Sequence, residues 1–206
     1  MMILASGSTM QKRRGNGRGK QRSRTSELRR IVDPRLRSFL RYWLVLRGDR
    51  LVPDRRDFDP AEVAPLLGYF WICCKEPKSG RFRFRLAGDE IRNLVGRWVA
   101  GAYIEDVFPA VADELIEGLE TVLKEPALYH SHGPFYRGDN RWIEAERLAL
   151  PVSFEGAVTS VLGATIFSWP AEGKPIAAQL VAGKISPTII PVAEISIADL
   201  TDQPQN

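Results

Sequence analysis

Hydrophobic and polar positions change period several times along this 206-residue chain, and each change marks an element. Over residues 81–87, Phe82, Phe84 and Leu86 alternate with Arg81, Arg83 and Arg85, which is the pattern of a strand with one apolar face and one basic, solvated face. The period then becomes helical. Gly88 permits a turn, Asp89 can cap the next helix, Ile91, Leu94 and Val95 fall on one side of it, and Gly96 can end it. Upstream, Asp33 and Pro34 open a helix whose Leu36, Phe39, Leu40, Trp43 and Leu44 form an apolar stripe up to Gly48. Asp59, Pro60 and Glu62 open a second, short helix that ends near Gly68.

The remaining elements follow by the same logic. Residues 69–75 and 81–87 make a hairpin around a turn at 77–80, and short helical pieces run through Phe108. Residues 109–124 form a longer helix with Val111, Leu115, Leu119, Val122 and Leu123 broadly on one side, stopped by Pro126. Three strands at hairpin spacing come next, 128–135, 141–150 and 157–167, with turns at 137–140 and 154–156. Beyond Trp169 the pattern is weak: 176–181 suits a short helix, and 185–206 reads as a mostly extended tail. The order is two strands, helices, three strands.

Charge divides the chain unevenly. Residues 1–30 hold nine Lys or Arg against Glu27 alone, a net of +8, which leaves 20 basic and 24 acidic residues after them. The basic balance therefore belongs to a leader, residues 1–29, rich in Gly, Ser, Arg, Lys and Gln and expected to be disordered through residue 26. Met1 and Met10 are both candidate start residues. No apolar run approaches the roughly 18 residues of a membrane-spanning helix, and the leader has the reverse order of a secretory signal. A cytoplasmic protein is expected. Cys73 and Cys74 are adjacent in a strand and so point to opposite faces, which suits two free thiols better than a bridge or a shared metal.

Two strands, several helices and a three-strand meander is the element order of the PAS fold. The residues add to it: Leu40 to Trp43, Arg47 to Pro53, Asp57 to Pro60, Phe82 to Gly88, Gly96-Arg97 and Arg141 to Glu144, in this order, give a string that resembles a bacterial family of stand-alone PAS-like proteins long listed as a domain of unknown function. The resemblance covers about residues 30–168. It departs at Gly88-Asp89, where Gly-Thr or Gly-Ser is more usual, and at Trp98 to Ala100, which replaces a more polar stretch; both lie in the expected cavity region. The resemblance implies an α+β fold: a five-stranded antiparallel sheet, helices covering one face and enclosing a cavity, and an additional N-terminal amphipathic helix, with residues 169–206 as a mostly irregular C-terminal tail.

Candidate chemistry is sparse. His130 and His132 share a strand face and could ligate a metal or haem with help, but no third ligand has recognisable spacing. Glu144 and Glu146 also share a face; a general acid/base pair is one reading, and cross-strand ion pairs with Arg141, Arg147 and the arginines of the second strand are the simpler one. No nucleophile elbow, phosphate loop, dinucleotide fingerprint or zinc signature is present, so neither an enzyme nor a metal protein is expected. Phe82, Phe84, Trp98, Tyr103, Phe108 and Trp142 are the candidates for lining a ligand cavity, with plain core packing as the alternative for each. Flavin chemistry through a cysteine adduct needs a cysteine on the helix beside the cavity, whereas both cysteines lie in the first strand. The cofactor is unassigned.

The resulting expectation is a stand-alone PAS-like sensory or adaptor module that binds a small ligand in an apolar cavity and acts through contact with an unidentified signalling protein. Two alternatives stand beside it: a ligand-free interaction scaffold, and binding of nucleic acid or an anionic surface through the arginine-rich leader. The stripe of helix 34–47 can cap its own domain or pair with the same helix of a second copy as a homodimer. No output domain is expected after residue 168.

Overall fold

Residues 160–167 are buried without interruption, which is the mark of a strand covered on both faces. They belong to β5 (Ala157–Ser168), a central strand of a six-stranded antiparallel sheet. The computed structural model describes residues 24–138, 141–168 and 185–201 of the chain. Strands β1 (Phe70–Lys75), β2 (Phe82–Ala87), β3 (Ala127–Gly138), β4 (Arg141–Phe154), β5 and β6 (Thr188–Pro191) lie in the order β2-β1-β5-β4-β3-β6. Five of these are the expected hairpin and meander. The sixth was not expected, because residues 185–206 read as irregular tail. Thr188–Pro191 nonetheless pairs with Ala127–His130 of β3, and Pro191 is tolerated there because β6 is an edge strand.

Each face of the sheet carries its own layer. On one side lies α1 (Pro34–Arg47), capped by Asp33, whose carboxylate accepts from the Arg35 N–H. Its stripe of Leu36, Phe39, Leu40, Trp43 and Leu44 packs against Phe70, Leu128, Leu148, Leu150, Leu162 and Ala164 of the sheet. On the other side α2 (Asp89–Val95), α3 (Ile104–Val107) and α4 (Ala112–Lys124) pack against Trp71, Cys73, Phe82, Phe84, Val161 and Ala149. The expectation of one solvated face is thus corrected. The apolar run of β5 carried that information, because a strand wet on one side would alternate.

Several local expectations also change. The segment after Asp59 is a 3₁₀ helix, Pro60–Leu66, interrupted at Val63, rather than an α-helix. Asp89 is the first residue of α2 and pairs with Arg92, while Gly88 occupies the cap position without a side-chain bond. Gly88 is there for close approach rather than for a turn: its φ is −70°, and a Cβ would stand 2.1 Å from the Leu67 carbonyl oxygen. In β2 the ladder slips, so that Cys73 pairs with Phe84 but Ile72 with Leu86. This bulge breaks the alternation at Arg85 and turns Leu86 away from Phe82 and Phe84, leaving it exposed.

The chain ends are less separate than composition implied. Residues 24–28 are helical, Leu28 and Ile31 are buried in the α1 layer, and Arg24 pairs with Glu194 at 3.1 Å. Ile190, Val192 and Ile195 are buried in the same layer. The expected disorder of residues 1–23 and the helix at 176–181 lie outside the described residues. No helix of the described residues is long and apolar enough to cross a membrane.

Candidate functional site

The strands supply a floor of alternate residues facing α2–α4, and the register sets them in rows. One row runs Trp71, Gly163, Ala149, Tyr129, and the next runs Thr165, Arg147, Ser131. Over the first row lies a cavity of about 50 Å³, walled by Phe84, Ile91, Leu94, Ile104, Phe108, Leu115, Leu119 and Val122. That space admits a few waters or a handful of larger atoms, well short of the roughly 300 Å³ at which drug-sized pockets begin. Trp71 lies so flat across the floor that a Cβ on Gly163 would come within 2.1 Å of its ring.

Polar groups enter this apolar space from the second row. The Thr165 hydroxyl accepts the indole N–H of Trp71 at 3.1 Å and the Nε–H of Arg147 at 3.1 Å. The Arg147 guanidinium also lies over the Phe135 ring, 4.8 Å from its centroid. Glu114, on the exposed side of α4, completes the polar lining. Cys73 faces the cavity fully buried, and that burial pushes its thiol well above the ordinary range, so it stays protonated and unreactive. Among the described residues no group of three His, Cys, Asp or Glu is placed to hold a metal.

The six aromatic candidates do not converge. Phe84 and Phe108 line the cavity, with ring centroids 6.0 Å apart. Phe82 is fully buried in the same layer but behind the cavity wall. Tyr103 instead braces the β1–β2 turn: its hydroxyl donates to Glu76 at 2.9 Å, and the Arg81 guanidinium stacks 3.6 Å over its ring. Trp98 and Trp142 are 67% and 44% exposed and do not line this cavity, since one stands in the loop after α2 and the other at the start of β4. The departures from the family string fare alike. Asp89 and Trp98 are exposed, and only Val99 among them is buried.

The arginines of β2 do not reach Glu144 and Glu146, for a topological reason: β1 and β5 stand between β2 and β4. Arg81 pairs with Glu105 at 2.7 Å and Arg83 with Glu76 at 3.6 Å, while Arg83 also donates to the Gly101 carbonyl. Arg147 and Glu146, as neighbours in a strand, face opposite layers. Glu146 is buried on the α1 side, where it accepts the N–H groups of Val32 at 2.6 Å and Asp33 at 2.8 Å and lies 2.8 Å from Nε2 of His130. His132 and Glu144 share that face but are exposed. Sequence reasoning missed Trp71, Thr165 and Arg147. The signal for Arg147 was its place among Ile143, Ala145 and Ala149, an otherwise apolar set of alternate positions.

Comparison with known proteins follows from this geometry. No curated protein matches the chain. Among solved structures, the PAS domain of Bordetella pertussis BvgS is similar with 19% identity and a TM-score of 0.41, over 52% of this chain and 82% of that one. The periplasmic sensory domain of the Campylobacter jejuni chemoreceptor Tlp1 gives 12% identity and a TM-score of 0.29, over 72% of this chain and 57% of that one. A family model described as PAS domain matches residues 32–166, from the start of the α1 layer to the end of the last meander strand, and the chain therefore belongs to the PAS domain family.

Proposed function

We propose that this chain is a PAS sensory or adaptor module without enzymatic activity, in which occupancy of the cavity under α2–α4 alters how α1 is held and thereby a contact with a signalling partner. Membership of the PAS family places the chain in the sensory and signalling class. The observation that carries the finer reading is the pair of consecutive residues in β4: Arg147 lines the cavity, and Glu146 holds the start of α1 through the Val32 and Asp33 amides. A shift of β4 by a bound molecule is felt on both faces, because a strand is one rigid ribbon with side chains alternating across it. The ligand biases whichever arrangement it binds better.

The test is a panel of small metabolites screened by thermal shift, followed by hydrogen exchange on the full chain with any stabilising compound. The expected result is slower exchange in α2–α4 and altered exchange at Val32 and Asp33. A panel in which nothing stabilises the protein would overturn the reading. The ligand-free scaffold is favoured by one observation, the small size of the cavity, and predicts that outcome. The apolar stripe of α1 takes the first of its two expected uses, buried within its own chain, so self-association through α1 would have to use its outer side, where Arg41 and Val45 are exposed.

A further inference from the structure

The polar groups at the edge of the cavity are engaged with one another. The Trp71 N–H is given to the Thr165 hydroxyl, and that hydroxyl, which accepts two bonds, takes its second from Nε of Arg147. The Arg147 guanidinium is packed over Phe135. Among the described residues, none of the buried polar side-chain atoms that lack a partner belongs to the cavity lining. A water held in such a space needs about two to four polar partners, and an apolar cavity without them stays dry. The interior is therefore hydrocarbon and aromatic surface around a space of about 50 Å³.

Size and charge together define what fits. Benzene occupies an apolar cavity of about 150 Å³, so a third of that volume holds roughly two or three heavy atoms. Ions of either sign are rejected: the lining carries both Arg147, which opposes a cation, and Glu114, which opposes an anion, and hydrocarbon walls replace none of an ion's hydration. Resting on the ligand-binding reading above, we infer that the cavity takes an uncharged, non-polar molecule of roughly two or three heavy atoms, either a dissolved gas such as dioxygen or a light hydrocarbon such as ethene or propane. It lies over Ala149 and the Trp71 ring, against Phe84, Phe108 and Val122. Trp71 is the group that feels it, because its bond leads through Thr165 to Arg147, the neighbour of Glu146 in β4. So small a ligand binds weakly: at the ceiling of binding energy per heavy atom, its dissociation constant is roughly millimolar or weaker.

The experiment is methyl NMR of the full chain under xenon, dioxygen and propane pressure, with acetate and ammonium as charged controls; the gases extend the metabolite panel that tests the sensing reading. Xenon is expected to shift, saturably, the methyl signals of Ile91, Leu94, Ile104, Leu119 and Val122, which wall the cavity. Those of Leu36, Leu40 and Leu162, in the layer across the sheet, are the internal reference and stay in place. Broadening of the cavity methyls by paramagnetic dioxygen beyond that of the reference assigns the site to gas, and propane shifts without it assign the site to hydrocarbon. Ala149→Val adds two methyl groups at the cavity floor and should abolish the xenon shifts. Val122→Ala enlarges the same space and should tighten xenon several-fold, and it carries the test where the filled variant does not fold. Equal xenon shifts in both layers, an unchanged xenon response in Val122→Ala, or acetate or ammonium acting on the cavity methyls overturns the inference. Cavity methyls unmoved by any gas, with a metabolite that stabilises the chain, overturn it and leave the sensing reading intact. Gas binding without altered exchange at Val32 and Asp33 upholds the site and removes the sensing reading instead.

Discussion

The Glu146 carboxylate and the His130 imidazole form a buried pair, 2.8 Å apart and with side chains 6% and 4% exposed. With the carboxylate ionised, His130 donates from Nε2, and the Val32 and Asp33 amides supply two further donors. Three hydrogen bonds therefore converge on one side chain of β4 and fasten the entry to α1. Replacing Glu146 with Gln keeps the size but turns an N–H₂ group toward a donor and removes the charge. The expected cost is about 2 kcal/mol of unfolding free energy, as for a buried charged acceptor replaced by a mismatched neutral one. Urea denaturation measures it, and faster amide exchange at Val32 and Asp33 than in α1 itself would localise the damage. An unchanged midpoint would mean that the pair does not hold the helix.

The same contact gives stability a pH dependence. Burial pushes the Glu146 carboxyl up, but the bonds from His130, Asp33 and Val32 outweigh it, so the group sits below the ordinary glutamate range. A carboxyl whose folded value is depressed contributes stability above its unfolded value, about 4.3, and loses that contribution as pH falls through the folded value. Asp33 acts in the same direction: burial raises it, and Arg35 together with the backbone lowers it further. The urea midpoint should hold from neutral pH to about 5 as far as these two groups are concerned and then fall as the pH drops through 4. In Glu146→Gln that fall should be shallower; an identical slope in the variant would assign the acid sensitivity to other carboxyls.

Much of this fold is legible in the sequence, and the exceptions have identifiable physics. Asp33-Pro34 and the stripe from Leu36 to Leu44 specify a capped amphipathic helix because both signals are local. The five strands of the hairpin and meander were equally plain, whereas the short edge strand β6 was not. What periodicity could not show was that both faces of the sheet are covered, since that depends on which elements return to pack there. Leu86 was misplaced because a single-residue bulge at Arg85 inverts facing for everything after it. The cavity was only half readable. Phe84 and Phe108 follow from apolar patterning, whereas Trp98 and Trp142 are apolar residues left on the surface, a placement that residue type does not exclude. Arg147 was hidden for the opposite reason, being a charged residue on a dry face.

Gly163 is a position where the cavity floor cannot accept any side chain. A Cβ there would meet Trp71 ring atoms at 2.1 and 2.4 Å, and the indole is itself held by its bond to Thr165. Gly163→Ala should therefore displace Trp71, break that bond and cost about 3 kcal/mol, the upper end for overpacking a core. Gly118 supplies the control. It lies in α4, lines the same cavity and meets only Tyr129, at 3.3 Å, so Gly118→Ala sets a mild crowding against a gain of up to about 1 kcal/mol in helix propensity. Chemical denaturation of the two variants should rank them far apart, with Trp fluorescence changed only in the first. Equal stabilities would mean that the Trp71 ring moves aside freely and that the cavity is more plastic than its packing implies.

The segment after residue 184 is part of the fold rather than a tail, and its removal should show this. Ile190, Val192 and Ile195 are each 2% exposed or less, and the carbonyls of Val192 and Ile195 accept from the Arg47 guanidinium at 2.5 and 2.7 Å. Arg47 lies at the last turn of α1, half-buried, and burial lowers its pKa, so it depends on those two acceptors. Three aliphatic side chains at about 2 kcal/mol each amount to roughly 6 kcal/mol, comparable with the whole stability of an ordinary domain. A chain ending at residue 184 is therefore expected to lose its cooperative thermal transition and to aggregate, with β3 left as an uncovered edge. Arg47→Ala tests the polar half of the contact alone. It should lower stability by about 2 kcal/mol through two carbonyls losing a charged donor, and it should leave the full chain folded. Circular dichroism melting of both proteins decides the matter: a truncated chain that melts within about 3 °C of the full chain would show that β6 packs on a core already complete without it.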